Sequence, residues 1–192
     1  MYRIIPGDAT NPQPLNKDSE IWIPHVCNDL GLWGSGFVNA ITARWGESAR
    51  TAYIMWSKAF KNTSITLSAT DTEIVGNSYF VLGGHQALRV LNSPDKIHIY
   101  NMIAQHGVRG DDSLRPPIRY AALAESMASL TPLLRSNSEI HCPKFGSDLA
   151  GGKWEVIEAL IHELWVDEGY NVTVYEFQPK VSPENKEMPS LD

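Results

Sequence analysis

Cysteine is nearly absent: Cys27 and Cys142 are the two thiols in 192 residues. So low a count excludes a disulfide-scaffolded fold. Long apolar runs are missing as well. No segment approaches the ~20 consecutive apolar residues of a membrane-spanning helix, so no membrane association is expected. Met1–Ile5 leads straight into Pro6-Gly7-Asp8 without a secretory leader pattern, and the expected location is cytoplasmic. Positive charge is in deficit, with 16 Lys and Arg against 22 Asp and Glu and a net charge of −6. That balance argues against broad nucleic-acid binding through the phosphate backbone. It leaves open a local anion site made of backbone amides, which adds no formal charge. The six histidines include no i, i+4 pair with an acidic partner, so no metal site is expected. What is present is an ordinary apolar content of 43% and 14 glycines. That is enough for one domain with its own core.

The glycines are not evenly spread. Tyr2–Ile5 reads as a short strand closed by Pro6-Gly7, and Ile21–Val26 as a second, buried strand. The latter runs into Gly31-Leu32-Trp33-Gly34-Ser35-Gly36. A helix is then predicted with Phe37, Ala40, Ile41 and Trp45 along one face, ended by Gly46, and a second helix over Glu47–Phe60. Asn77–Leu82, Ala87–Leu91 and Ile97–Ala104 read as strands, with residues 61–76 ambiguous. In Ile97–Ile103, strict alternation puts the isoleucines on the face opposite Tyr100 and Met102. After a polar loop over Gln105–Arg115, Pro116-Pro117 opens a predicted long helix reaching Arg135. Glu139–Pro143 is a further strand. It leads into the second glycine cluster, Gly146–Gly152, and then into a helix with Ile157, Leu160, Ile161 and Leu164 at i, i+3, i+4, i+7 and Gly169 at its end. Asn171–Phe177 is the last strand. The domain is therefore expected to occupy residues 1–177, followed by a proline-rich tail over 178–192 expected to be disordered.

Alternating strands and helices predict an α/β sandwich on a mostly parallel sheet. Ligands of such sheets bind beyond the carboxyl ends of the strands, and both glycine clusters occupy the strand-to-helix position there. The first cluster is spaced G-x-x-G-x-G, unlike the G-x-G-x-x-G of dinucleotide dehydrogenases, which disfavours a nicotinamide-dependent oxidoreductase. Neither cluster closes with Gly-Lys-Ser/Thr, so neither is a P-loop. Two amide-lined loops, each with a small hydroxyl (Ser35, Ser147), suit a ligand carrying two adjacent phosphates. The plain alternative is a pair of tight turns.

At these residues the sequence resembles the macro domain family, which binds ADP-ribose. The resemblance runs from Arg3 to Phe177. It is carried by Gly7-Asp8-Ala9-Thr10, by His25-Val26-Cys27-Asn28 leading to Gly31–Gly36, by Tyr100–Gln105, and by Pro143–Trp154, in the family's order. It implies a three-layer α/β/α sandwich with a central mixed six-stranded sheet. It also implies a small nucleotide partner, ADP-ribose or a derivative, and no cofactor. Within the family, Pro143–Gly146 and Leu149–Glu155 look like the branch of ADP-ribose-1''-phosphate phosphatases and terminal ADP-ribose glycohydrolases. Carried over, Asp8 and the Ala9 backbone would hold adenine, and Phe177 would contact its face. Gly34, Ser35, Gly36 and Phe37 would hold one phosphate. Ser147, Asp148, Leu149 and Ala150 would wrap the other phosphate and the distal ribose.

The resemblance also marks a departure. Gln105 stands where the glycohydrolases have a lysine and Ala150 where they have an aspartate, so neither a nucleophilic amine nor a carboxylate is present there. Candidate catalytic residues are therefore Asp148, Asn28 and His106. Asp148 is read either as a water-orienting base or as an exposed loop carboxylate. Asn28 either bonds the distal ribose or forms an Asx turn. His106 follows the inner strand and is suited to acid–base work. Trp33 either walls the ligand or anchors its loop. Cys27 and Cys142 read as buried thiols, with a Cys–His nucleophile pair left open. The implied activity is hydrolysis of a small derivative such as ADP-ribose-1''-phosphate. The alternatives are a non-catalytic ADP-ribose reader and an ADP-ribosyl hydrolase acting on a macromolecule.

Overall fold

Two nine-residue strands, β2 (Glu20–Asn28) and β5 (Ile97–Gln105), form the middle of the structure because nearly every residue in them is buried. Strands covered on both faces read as continuous apolar runs rather than alternating ones. The computed structural model describes residues 1–59, 71–108 and 115–178. The expectations for Phe60, for much of 61–76, for residues 109–114 and for the tail from 179 onward lie outside the described residues.

The remaining strands are β1 (Tyr2–Pro6), β3 (Thr72–Asn77), β4 (His85–Val90), β6 (Ser138–Pro143) and β7 (Asn171–Glu176). The sheet order is β1-β7-β6-β2-β5-β4-β3, parallel from β1 to β5 and antiparallel at β4 and β3. On one face lie α1 (Phe37–Trp45) and α2 (Ser48–Ala59), packed on Ile21, Ile23, Ile97, Ile99 and Ile103. On the other lie α3 (Tyr120–Ala128) and α4 (Trp154–Ile161), packed on Trp22, Tyr100, Met102, Ile140 and Val174. The alternation read in β5 therefore holds, and the three-layer sandwich stands.

Three expectations change. Among the described residues the sheet has seven strands, not six. The strand expected at Asn77–Leu82 lies earlier, at Thr72–Asn77, and residues 78–84 turn instead. The Gly83-Gly84 pair enforces that turn, since a Cβ on Gly84 would lie 2.2 Å from the Tyr79 carbonyl oxygen. The long helix expected from Pro117 to Arg135 is short. Ile118 bridges to Gln105 as a strand-like contact, the helix starts at Tyr120, and it ends at Ala128. Pro132 accounts for that end, because its ring would clash with the carbonyl four residues back. Thr131–Leu133 forms a 3-10 turn instead.

The topology fixes where a ligand can enter. From β2 the chain runs through α1 and α2 toward β3 at one edge; from β6 it runs through α4 to β7 on the other side. β2 and β6 are neighbours, so consecutive crossovers leave in opposite directions between them. That is a topological switch point, where open α/β sheets hold ligands. Pro24 contributes here. The Ile21 N–H points to β5 (2.9 Å to the Lys96 oxygen), so by alternation the N–H that Pro24 lacks would have faced β6. The β2–β6 ladder accordingly covers only Glu20–Trp22 against Ser138–Ile140.

A buried polar chain ties the central strands together. His25 Nε2 and Asn101 Oδ1 are 2.6 Å apart, Asn101 Nδ2 donates to Gln86 Oε1 (3.0 Å), and Gln86 donates to the Ala52 carbonyl in α2 (3.3 Å). Burial lowers the His25 pKa to about 4 and raises that of Cys27. The Cys27 Sγ–His25 Nδ1 contact of 3.7 Å is thus between neutral groups. It is not an activated thiolate pair, because burial opposes both charges. Cys142 is likewise buried and raised, on the opposite face of the sheet.

Candidate functional site

Five parallel strands deliver their C-terminal ends to one rim of the sheet. Strand order alone sets the sequence of segments along that rim: Gly7–Thr10 after β1, Phe177 after β7, the 144–152 loop after β6, the 29–36 loop after β2, and His106 after β5.

At the β1/β7 end, the pairing Pro6↔Glu176 and the Gly7 N–H to Glu176 oxygen bond (3.0 Å) bring Asp8 alongside Phe177. Asp8 Oδ1 accepts from the Thr10 N–H at 2.8 Å, an Asx turn that presents this segment at the rim. Ala9 is buried, so only its backbone can serve a ligand. Phe177 is 75% exposed, leaving an aromatic face open to solvent. The loop behind, residues 13–19, is held by Glu139. Its two oxygens accept from Leu15 N–H (2.9 Å), Asn16 N–H (3.1 Å), Ser19 Oγ (2.6 Å) and His141 Nε2 (3.1 Å). Burial pushes the Glu139 pKa up, but these hydrogen bonds outweigh it and hold it below the usual carboxylate range.

At the switch point the two glycine loops meet. The first is built in layers. Asn28 Oδ1 accepts from Leu30 N–H (3.1 Å) and Leu32 N–H (3.0 Å), and its Nδ2 donates to the Leu32 carbonyl (2.7 Å). The Tyr53 hydroxyl of α2 donates to the Asn28 carbonyl. The Asn28 side chain therefore braces the loop, as the Asx reading expects. Trp33 is buried, and its indole N–H donates to Thr42 Oγ1 (3.0 Å). It anchors the loop beneath α1.

The three glycines differ in cause. A Cβ on Gly31 would collide with Ser57 Oγ at 2.3 Å, so Gly31 is required by packing. Gly36 has φ 78° and ψ −147°, a region open essentially to glycine alone. Gly34 has neither constraint: its φ is not left-handed, and a Cβ there would meet nothing within 4 Å. Gly34, Ser35 and Gly36 are exposed, Phe37 is half-buried, and Phe37 opens α1 without a side-chain cap. The helix's first N–H groups are thus free of a capping side chain.

The second loop closes on itself through Gly152 N–H to Gly146 oxygen (2.8 Å) and Gly151 N–H to Asp148 oxygen (3.0 Å). Ser147 Oγ donates to the Lys144 carbonyl (3.1 Å). Asp148 and Leu149 are both exposed at its tip, while Ala150 is buried, with its carbonyl bonded to Ile118 N–H (3.0 Å). Ala150 can thus offer only backbone to a ligand. The loops approach closely: a Cβ built on Gly36 would lie 3.3 Å from Leu149 Cδ1.

At the β2/β5 end, Gln105 donates to the Gly107 carbonyl (3.0 Å) and takes part in the turn. His106 Nδ1 lies 2.6 Å from Asp29 Oδ2, and Gly107 N–H donates to Asp29 Oδ1 (2.9 Å). Sequence reasoning missed Asp29. It stood out only as part of an Asn-Asp turn, and its partner lies 77 positions away. Among the described residues no group of three or more His, Cys, Asp or Glu side chains is arranged to hold a metal ion, and no helix is long and apolar enough to cross a membrane. A groove of ≈ 550 Å³ lined by Glu20, Trp22, Lys96, His98 and Arg135 sits at the opposite end of β2 and β5. Topology, not hollowness, locates the candidate site at the C-terminal rim.

No protein-family model matches the chain, and no curated protein matches it. Solved structures do. A protein of unknown function from Bacteroides thetaiotaomicron shares 34% identity at a TM-score of 0.75, covering 92% of this chain and 98% of that one. A macrodomain protein from Streptomyces coelicolor shares 28% identity at 0.63, covering 91% and 98%. A Trypanosoma brucei macrodomain, solved in complex with ADP-ribose, matches at 0.56 with 12% identity, covering 92% and 63%. These likenesses extend over nearly the whole chain, and the chain belongs to the macro domain family.

Proposed function

We propose that the rim binds ADP-ribose or a close derivative. Adenine lies at the β1/β7 end against Asp8, Ala9 and Phe177. The diphosphate lies between the Gly34–Phe37 and Ser147–Ala150 loops, and the distal ribose lies toward β2 and β5. The observation that carries this reading is the close approach of Gly36 to Leu149 at the switch point, where a Cβ added at Gly36 would lie 3.3 Å from Leu149 Cδ1. It sets two amide-rich loops, one of them at a helix N-terminus, next to each other at the strand ends where such sheets hold ligands. A chain of charge −6 can hold a diphosphate there because amide dipoles, not lysines, line it.

The activity we infer is hydrolysis of a small terminal derivative such as ADP-ribose-1''-phosphate. A lysine-dependent glycohydrolase mechanism is disfavoured, since Gln105 and Ala150 lack its chemistry and both are engaged in the fold. Of the three catalytic candidates, Asp148 remains a carboxylate near the loop tip, and His106 remains an exposed imidazole at the distal end. Calorimetry tests the binding: ADP-ribose should bind well above AMP and NAD, and equal or absent binding defeats the reading. Phosphate release from ADP-ribose-1''-phosphate tests the chemistry; binding without release leaves a reader of ADP-ribose.

A further inference from the structure

We propose that Asp29 and His106 form one acid–base unit at the distal-ribose end, with His106 as the catalytic residue and Asp29 as the positioning residue. The proposal rests on the ADP-ribose reading of the rim. Its basis is geometric. Asp29 Oδ2 lies 2.6 Å from His106 Nδ1, and Asp29 Oδ1 accepts from Gly107 N–H at 2.9 Å. Both carboxylate oxygens thus accept, so Nδ1 carries the hydrogen and Nε2 is the nitrogen left for substrate. The backbone of the pair is fixed from both sides. Asp29 N–H donates to the Gln105 carbonyl (2.9 Å), and His106 N–H donates to the Pro117 carbonyl (2.9 Å). Asn28, immediately before, is clamped by the first glycine loop. Exposure differs in the sense that such a unit requires: the Asp29 side chain is 18% exposed and that of His106 57%. The carboxylate is sheltered and the imidazole reaches solvent. The pair also joins the ends of β2 and β5, beside the loop expected to hold one of the phosphates.

The chemistry balances without a cofactor. Nε2 accepts a proton from water as the water oxygen forms a bond to the terminal phosphorus. The bond between that phosphorus and the ribose 1''-oxygen breaks. The departing oxygen takes the proton back from Nε2–H, giving ADP-ribose and inorganic phosphate. Asp29 stays ionised and stabilises the imidazolium between the two transfers.

The Gly107 N–H makes one substitution diagnostic. In Asp29→Asn, that N–H requires the amide oxygen, which turns the amide nitrogen toward His106. The nitrogen then donates to Nδ1, and the ring hydrogen is driven to Nε2. The test uses the full-length, 15N-labelled chain. Long-range 1H–15N correlation should show His106 as the Nδ1–H tautomer in the wild type and as Nε2–H in Asp29→Asn. Phosphate release from ADP-ribose-1''-phosphate should fall about 100-fold or more in Asp29→Asn and in His106→Gln. ADP-ribose affinity should stay within about threefold in both, since neither side chain is assigned to ground-state binding. An Nε2–H tautomer in the wild type overturns the proposal, as does a variant that keeps full activity. No phosphate release by a wild type that binds ADP-ribose overturns the catalytic role. Failure of the wild type to bind ADP-ribose overturns the reading of the rim itself, and calorimetry shows this separately.

Discussion

Gly36 offers the sharpest test of the phosphate-binding geometry, because α1 carries its own control. The helix is flanked by two glycines in nearly the same conformation, Gly36 at φ 78°, ψ −147° and Gly46 at φ 82°, ψ −170°. An L-residue held in that region is strained by about 1–3 kcal/mol. Gly36→Ala and Gly46→Ala should therefore lower folding stability by similar amounts, or the chain relaxes to avoid the strain. Only at Gly36 does relaxation reorient amides proposed to hold phosphate. The added methyl there also stands 3.3 Å from Leu149 Cδ1, whereas at Gly46 nothing lies within 4 Å. If the strain is relieved by moving the loop, the same strain of about 1–3 kcal/mol appears in binding, which is about five- to 150-fold in affinity at roughly 1.4 kcal/mol per tenfold. Calorimetry with ADP-ribose, paired with thermal unfolding, reads both quantities. The expected pattern is a Gly46→Ala protein that is less stable but binds normally, beside a Gly36→Ala protein that loses affinity. Equal affinity for the two variants refutes the assignment of the Gly36 amides to the ligand.

Gly34→Val should leave stability within about 0.5 kcal/mol, since the position has open space and an ordinary φ, yet reduce ADP-ribose affinity about tenfold or more by occupying that space; unchanged calorimetry counts against ligand approach there. Phe177→Ala should weaken ADP-ribose binding by about 0.5–1.5 kcal/mol with little change in melting temperature, because the ring is 75% exposed and its packing partner would be the base. Glu139→Gln places an amide N–H₂ among donors and should destabilise the fold by about 1–3 kcal/mol in urea unfolding, with faster amide exchange at Leu15 and Asn16. Acid should destabilise the chain through His25. Its pKa of about 4 in the fold lies below the ordinary 6.5, so the stabilisation is complete above pH 6.5 and declines as pH falls toward 4. The decline amounts to about 3.5 kcal/mol at roughly 1.4 per pH unit. Burial lowers the pKa of His141 and His98 as well, which adds in the same sense. Urea midpoints that do not fall between about pH 7 and about pH 4.5 would contradict this.

Much of the fold was legible because burial on both faces leaves a plain mark. Ile21–Val26 and Ile97–Ala104 stand out as apolar runs, and Gly46 ends α1 where expected with positive φ, whereas the helix expected to reach Gly169 stops as α4 at Ile161 and passes into a π-helical turn, His162–Val166, short of that glycine. The errors have local causes. Thr72–Asn77 pairs at the sheet edge with alternating exposure, and its residues Thr-Glu-Ile-Val-Gly-Asn carry a weak strand pattern. The adjacent Tyr79–Leu82 segment looks more strand-like, but the Gly83-Gly84 turn rules it out. The helix expected from Pro117 loses its first residues to a bridge between Ile118 and Gln105, a contact no local propensity encodes. In the site, the glycine loops and Asp8 were visible from composition and position. The roles of Asn28 and Trp33 were each open between two readings, because a hydrogen bond to a loop carbonyl or to Thr42 depends on how the loop folds back.

By itself, the sequence determined the class of sheet, the two amide-rich loops and the net acidic balance, because these depend on local pattern and composition. Tertiary structure decided which loops are neighbours. β2 and β6 lie side by side although α1, α2, β3, β4, β5 and α3 all intervene along the chain. Strand order therefore sets Gly36 against Leu149 and lines up Asp8, Phe177, the loops and His106 along one rim. The Asp29–His106 pair belongs to the same category. Each residue follows a different strand, and only the parallel register of β2 with β5 brings carboxylate and imidazole within 2.6 Å.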